Sequence, residues 1–324
     1  MTAAHYANEA RRYAAYLRNH GDNRLYRIAA GANDGDLDWT RTLMEAVSCL
    51  GCHSLPNGPF QAITVHAYSV IGEWDAKTRA REIDDDQYRA VLAKAQEVER
   101  LVQAHGTVMD AYDPQRQIGL ILDEWGTWWA TEEGTNPAFL YQQNTMTDAL
   151  VAAVHLDGFH RQAARLVMAN LAQTVNVLQA VVLTDEETGA LILTPTYHVF
   201  EMNKAHQDAD ALVTRVVDGP AAQEAGGRPF EMVSASASRA GNSALISLSN
   251  LDGEEPLTVV LDLRGAEVTA LTGRLLAAGD KLAHNTAQQP DAVAPVALDV
   301  AEHERGAQVV LPPHSFATVA LELA

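Results

Sequence analysis

Residues 117–129, QIGLILDEWGTWW, constrain the fold of this chain more than any other stretch. Ile118 to Leu122 are apolar without a break apart from Gly119, a pattern that suits a parallel strand covered on both faces and suits neither a surface helix nor a half-wet strand. The run ends at adjacent carboxylates, Asp123 and Glu124, and three tryptophans follow, Trp125, Trp128 and Trp129. In parallel α/β folds the carboxyl ends of the strands hold the chemistry, so Glu124 stands where a nucleophile, an acid or a metal ligand would stand. The indoles are placed to form a stacking wall for a sugar or a base. Taken alone, the same residues also suit acids that cap the next helix and tryptophans that fill a core.

The chain before this stretch alternates strand and helix. Residues 5–20 place Tyr6, Ala10, Tyr13, Ala14 and Leu17 at spacings of three and four, which predicts an amphipathic helix. Leu25 to Ala30 reads as a short strand, residues 31–38 as a turn-rich loop, and Trp39 to Leu50 as helix again. Ala62 to Val70 is a second strand, in which His66 and Tyr68 are two apart and point the same way. Gln87 to His105 is a long helix. After the tryptophans, Asp148 to Arg165 is helical by period. Leu171 to Leu183 is a further apolar segment with Gln173, Asn176 and Gln179 embedded, amides that need buried partners or a polar cavity. About four strand–helix units are visible where a closed barrel needs eight.

From about Asp208 the character changes. FEMVSASAS, SALISLSN, LTVVLDL, EVTALTG, APVALDV, AQVVLPP and FATVALEL are short runs, mostly alternating, separated by Gly, Asn, Asp and Pro. They predict an antiparallel sandwich of about seven strands, reached through a linker near residues 207–227. The expected architecture is therefore α/β plus all-β, with a partial barrel over 1–207 and a β-sandwich over 208–324.

Charge and cysteine usage narrow the partners. With 42 acidic against 23 basic side chains the net charge is −19, which repels phosphate backbones and anionic lipid and disfavours nucleic-acid or membrane partners. A neutral substrate fits better. No apolar run reaches the eighteen or so residues of a membrane span, and MTAAHYANEARRYAAYL lacks the basic-then-apolar pattern of a signal peptide, so a cytoplasmic location is expected. The two cysteines fall in Cys49-Leu50-Gly51-Cys52-His53, which matches the literal pattern for haem attachment. No second Cys/His pair at zinc-finger spacing follows, and ordinary thiols at a helix end are the expectation.

Several strings together resemble the α-L-arabinofuranosidases of glycoside hydrolase family 51: DEWGTWW at 123–129, GTNPAFLYQQNTMTDALVAA at 134–153, MANLAQTVNVLQAVVLTD at 168–185 and LTPTYHVFEMNKAHQDA at 193–209. LYRIAAGAN at 25–33, HAYSV at 66–70, and AHNTAQQPDAV with LPPHSFATVAL near the end extend the resemblance over nearly the whole chain. Such enzymes join a (β/α)₈ TIM barrel to a C-terminal antiparallel β-sandwich. The resemblance implies that Glu124, in the DEW motif on the seventh barrel strand, is the nucleophile. It implies that Tyr68 at the end of the sixth strand holds the nucleophile's carboxylate and that Gln173 hydrogen-bonds the furanose ring. His66, Trp125 and Trp128 would line the pocket. His198, within PTYHVF, is expected to be structural.

Retaining glycosidases need two carboxyls about 5 Å apart, one to attack the anomeric carbon and one to protonate the leaving oxygen. The family keeps the second in an Asn-Glu pair that ends the fourth strand, and no matching motif is found here. Asn8-Glu9 lies inside a predicted helix and is not a substitute. The expectation is therefore the second half of the barrel, truncated at the N-terminus and lacking its acid/base. It would come from a retaining, exo-acting α-L-arabinofuranosidase that removes terminal arabinofuranosyl residues from arabinoxylan or arabinan oligosaccharides. The resemblance implies no metal or cofactor and a homo-oligomeric, hexameric full-length enzyme. A non-catalytic carbohydrate-binding remnant or a complementing half-protein is the alternative.

Overall fold

In a computed structural model, residues 1–48 and 59–324 are described; Cys49, Cys52 and His53 lie outside them. The chain groups into two compact units. The first comprises 1–68, 98–125 and 162–170, and the second 69–97, 126–161 and 171–324.

The first unit is built on strand–helix alternation. Helix α1 (Ala3–Ala14) is capped by Thr2, whose hydroxyl accepts the His5 N–H at 3.3 Å. It ends earlier than its apolar spacing predicts, before a turn in which Gly21 adopts φ +60°. Strand β1 (Ile28–Asn33) begins three residues later than expected. The residues before it are held partly by side chains: Leu25 N–H donates to Asn19 Oδ1 at 3.0 Å and Arg27 N–H to Gln61 Oε1 at 2.7 Å, while the Arg27 carbonyl accepts the Gln61 N–H at 2.8 Å. Helix α2 (Leu37–Val47) is capped by Asp36, and strand β2 (Ala62–Ser69), helix α3 (Asp85–Tyr112) and strand β3 (Gly119–Thr127) follow. Helix α4 (Met146–Arg161), which belongs to the second unit, precedes strand β4 (Leu166–Leu171) in the chain.

These strands form a four-stranded parallel sheet in the order β1-β2-β3-β4, the open half of a (β/α)₈ barrel. Each strand steps to the next through a helix, as parallel neighbours require. Ile63, Val65, Leu120, Ile121 and Leu122 are buried, and the covered faces explain the unbroken apolar runs. Gly31 marks the closest approach within the sheet. A Cβ there would lie 1.6 Å from the Thr64 carbonyl oxygen, at the point where the β1–β2 register shifts. Only glycine fits.

Strand β4 corrects the sequence reading, which placed an apolar segment at 171–183 and none at 166–171. Val167 and Met168 are exposed at the sheet's outer strand, so LVMANL carries too weak a pattern to stand out. Most of 172–181 is irregular, with Val175 bridged to Val182, and Val182–Thr184, strand β5, pairs with β6 (Leu191–Leu193). Helix α5 (Pro195–Met202) is capped by Thr194 and starts on proline, where the missing N–H costs nothing.

The sandwich lies in the second unit. Strand β7 (Asp210–Leu212) comes first, then a hairpin of β8 (Gln223–Ala225) and β9 (Arg228–Phe230). The remaining strands are β10 (Val233–Ala240), β11 (Ser243–Asn250), β12 (Leu257–Asp262), β13 (Val268–Ala277), β14 (Val296–Leu298), β15 (Ala301–His303), β16 (Gly306–Leu311) and β17 (Ser315–Leu323). Each of the seven alternating runs is a strand, and β7 and β15 are short additions. One sheet has the order β14-β13-β17-β11-β10-β7 and the other β12-β16-β15. Ile246, Leu248, Leu261, Val309, Leu311, Val319 and Leu321 form the core. In β12 and β16 alternation turns the other residues toward solvent, whereas β10, β11 and β17 are covered on their second face too, with Ser236, Ser247, Ser249 and Thr318 buried.

Candidate active site

β2 and β3 bring four polar side chains together near their carboxyl ends, all within the first unit. Tyr68 donates its hydroxyl hydrogen to Glu124 Oε2 at 2.8 Å. His66, two residues earlier and on the same side of β2, has Nδ1 3.6 Å from Glu124 Oε2 and Nε2 3.2 Å from Asp123 Oδ1. One imidazole thus stands between two carboxylates. The Glu124 side chain is 46% exposed, so it reaches solvent while its outer oxygen is held. Burial, and then the bonded and charged Glu124 with Asp123 behind it, raise the Tyr68 hydroxyl above its ordinary pKa. Tyr68 therefore stays a neutral donor through the physiological range.

Chemically, this is an oriented, accessible carboxylate. A neutral tyrosine donor takes up one lone pair of Oε2 and leaves Oε1 to attack an electrophilic carbon. Sequence spacing placed His66 and Tyr68 on one side. It left Asp123 as a structural neighbour of Glu124, and its approach to His66 was not foreseen, because a cross-strand contact has no local signature.

The other residues singled out fall differently. Trp125 is fully buried within β3 and exposes no ring surface. In the second unit, Trp128 is half-buried and meets Trp74 edge-on, with ring centroids 5.0 Å apart. The Lys77 Nζ lies 3.8 Å from the centre of the Trp74 ring, a cation–π contact. Trp74 and Lys77 were missed, since GEWDAK reads as an ordinary turn. Gln173 is exposed in the turn after β4, and its backbone N–H donates to Val177 O at 3.1 Å. Of the three embedded amides, Gln179 is the one fully buried, bonded to Thr127 N, Asp148 O and Thr196 Oγ1. His198 is buried, and that burial lowers its pKa. Among the described residues no group of three or more His, Cys, Asp or Glu side chains is arranged to hold a metal ion, and no helix is long and apolar enough to cross a membrane.

Comparison with known proteins starts from the sandwich side. Residues 123–315, more than half of the chain, match the α-L-arabinofuranosidase C-terminal domain, a domain of carbohydrate-cleaving enzymes. An "Intracellular exo-alpha-L-arabinofuranosidase" of Bacteroides ovatus is 39% identical over 325 residues, covering 99% of this chain and 61% of its own length. The crystal structure of the GH51 arabinofuranosidase from Xanthomonas axonopodis pv. citri superposes with a TM-score of 0.92 at 35% identity, over 99% of this chain and 63% of that one. A family 51 enzyme of Bifidobacterium longum shares the fold at 20% identity and a TM-score of 0.81. The chain belongs to the α-L-arabinofuranosidases of glycoside hydrolase family 51. It spans about three fifths of the length of the first two relatives.

Proposed function

We propose that this chain carries the nucleophile half of a retaining, exo-acting α-L-arabinofuranosidase, with barrel elements over 1–207 and the sandwich over 208–324. Glu124 attacks the anomeric carbon of a terminal arabinofuranosyl residue, and water later hydrolyses the glycosyl-enzyme ester. Tyr68 and His66 hold the carboxylate, Gln173 bonds the furanose ring and Trp128 lines the sugar pocket, as the family resemblance implies, while Trp125, which that resemblance also put in the pocket, is buried within β3. The substrates are arabinoxylan or arabinan oligosaccharides, the location is the cytoplasm, and the full-length enzyme is a homo-oligomer, a hexamer by that resemblance. The observation that carries this reading is the 2.8 Å bond from Tyr68 to an otherwise accessible Glu124. The name of the Bacteroides ovatus relative, which includes "Intracellular" and "exo", supports it.

The same reading assigns the acid/base to residues this sequence does not supply, and that makes it testable. General acid help is worth about 10²- to 10⁴-fold for a poor leaving group and little for a phenolate that departs unprotonated. The chain should therefore release dinitrophenol from 2,4-dinitrophenyl α-L-arabinofuranoside while leaving arabino-oligosaccharides almost untouched. Glu124→Ala should abolish that release and leave the fold intact. Release undiminished in Glu124→Ala would refute the assignment. Oligosaccharide binding without any release would favour the second reading, a non-catalytic carbohydrate-binding remnant or complementing half-protein.

A further inference from the structure

Asp148, in the first turn of α4, is fully buried and has four hydrogen-bond donors around it. Its Oδ2 accepts the backbone N–H of Thr145 at 2.7 Å and the Thr145 hydroxyl at 3.0 Å. That local arrangement is a helix N-terminal box. The other oxygen looks away from the helix. Oδ1 accepts the Thr127 hydroxyl at 2.5 Å and the Trp129 indole N–H at 2.8 Å.

The placement of protons fixes the species. Indole and backbone N–H groups can only donate. Gln142 accepts the Trp129 backbone N–H at 2.9 Å through Oε1, so its amide N–H points at Thr127 Oγ1, 3.1 Å away. The Thr127 proton is thereby directed to Asp148. All four partners donate, so an ionised carboxylate is the form that satisfies them, even though burial pushes this carboxyl's pKa upward. Gln179 completes the cage: it accepts the Thr127 N–H at 2.8 Å and donates to the Asp148 carbonyl at 2.6 Å.

The clamped residues, Thr127 and Trp129, flank Trp128. That ring is half-buried and set edge-on to the exposed Trp74 at an interplanar angle of 65°. A helix cap alone would use one oxygen of Asp148. The second oxygen spends its bonds on the turn that carries an accessible indole.

We propose that Asp148 is a positioning residue, a buried anion that locks the Thr127–Trp129 turn and so fixes the direction in which Trp128 presents its ring to a saccharide. This rests on the reading of Trp128 as a sugar contact. The role is distinct from core filling, because it depends on charge and on Oδ1 rather than on volume.

The test uses the chain labelled with 5-fluorotryptophan, whose five ¹⁹F lines are assigned by single Trp→Phe substitutions. Two variants are compared, Asp148→Asn, and Thr127→Val, which removes one Oδ1 donor while keeping the shape and the helix box. The expected result is that the Trp128 and Trp74 lines shift or broaden while the Trp39 line stays, and that affinity for arabinotriose falls about tenfold, as loss of a bond to a buried charge would give. Should Asp148→Asn not fold, Thr127→Val carries the same reading. An unmoved Trp128 line in Thr127→Val, or five lines that all shift alike, overturns the proposal. A Trp128 line that moves in a protein that binds no arabinotriose upholds the clamp and overturns the sugar reading instead.

Discussion

Lowering the pH should destabilise the sandwich-bearing unit through a pair of buried histidines. The rings of His160 and His206 meet at a tilt of 37° with centroids 4.2 Å apart. His160 Nδ1 meets the Ser236 hydroxyl at 2.9 Å, and His206 meets Ser238 through Nδ1 at 2.7 Å and Ser247 through Nε2 at 2.8 Å. Asp157 faces the same cluster but is engaged by the Ser234 and Ser236 hydroxyls at 2.6 and 2.7 Å. Burial lowers His160 to about 3, with the neighbouring His206 and Arg161 adding to it, and lowers His206 to about 4.

Both rings are therefore neutral in the folded protein, while the unfolded chain takes up protons below its ordinary value near 6.5. Their contribution is fully present above that pH and is lost as pH falls toward 4. At pH 5 each suppressed protonation amounts to roughly 2 kcal/mol, and the pair to about 4 kcal/mol as an upper figure. Urea unfolding followed by circular dichroism at pH 7, 6 and 5 measures this directly. His206→Gln keeps polar atoms for the serines and removes one titration, so it should lose about 2 kcal/mol less than the parent between pH 7 and 5. If parent and variant lose stability equally over that interval, the buried-neutral account is wrong.

Three further substitutions probe other parts of the chain. Gly31→Ala should cost about 3 kcal/mol or more in thermal or urea unfolding, because a Cβ 1.6 Å from the Thr64 carbonyl must push β1 from β2, whereas Gly279→Ala, with open space around it, should change little. Arg165→Met should cost roughly 3–5 kcal/mol by the same measurement. It strips a buried guanidinium from Asp113 Oδ2 and the Ile118 carbonyl, at 2.9 and 2.8 Å, and leaves Asp113 uncompensated. Tyr68→Phe should leave stability nearly unchanged and lower kcat/KM for the dinitrophenyl glycoside about tenfold, through the lost bond to Glu124; unchanged kinetics would remove Tyr68 from the site.

Periodicity was legible wherever burial was lopsided or complete. β3 could be read because Leu120, Ile121 and Leu122 are covered on both sides, and β10 to β17 because one face of each meets the core. β4 was not, since its outer position leaves Val167 and Met168 in water and removes the contrast that a pattern needs. The start of β1 slipped for a related reason: Leu25 and Arg27 are fixed by bonds to Asn19 and Gln61, partners that no window of local sequence contains. At the site, same-strand spacing paired His66 with Tyr68, and the family strings pointed to Glu124. The closeness of Asp123 to His66 and the buried cage around Asp148 join residues from different elements, so tertiary folding alone creates them, whereas Trp74 and Lys77 meet within one short turn.

The order of strands in the larger sandwich sheet bears on how this protein is made. β17 lies between β13 and β11, pairing along nearly its whole length with both, yet it is synthesised after either of them. Until residues 315–323 leave the ribosome, β11 and β13 present two unsatisfied edges to solvent, open to pairing with another chain. Removal of residues 315–323 would leave that sheet split down the middle.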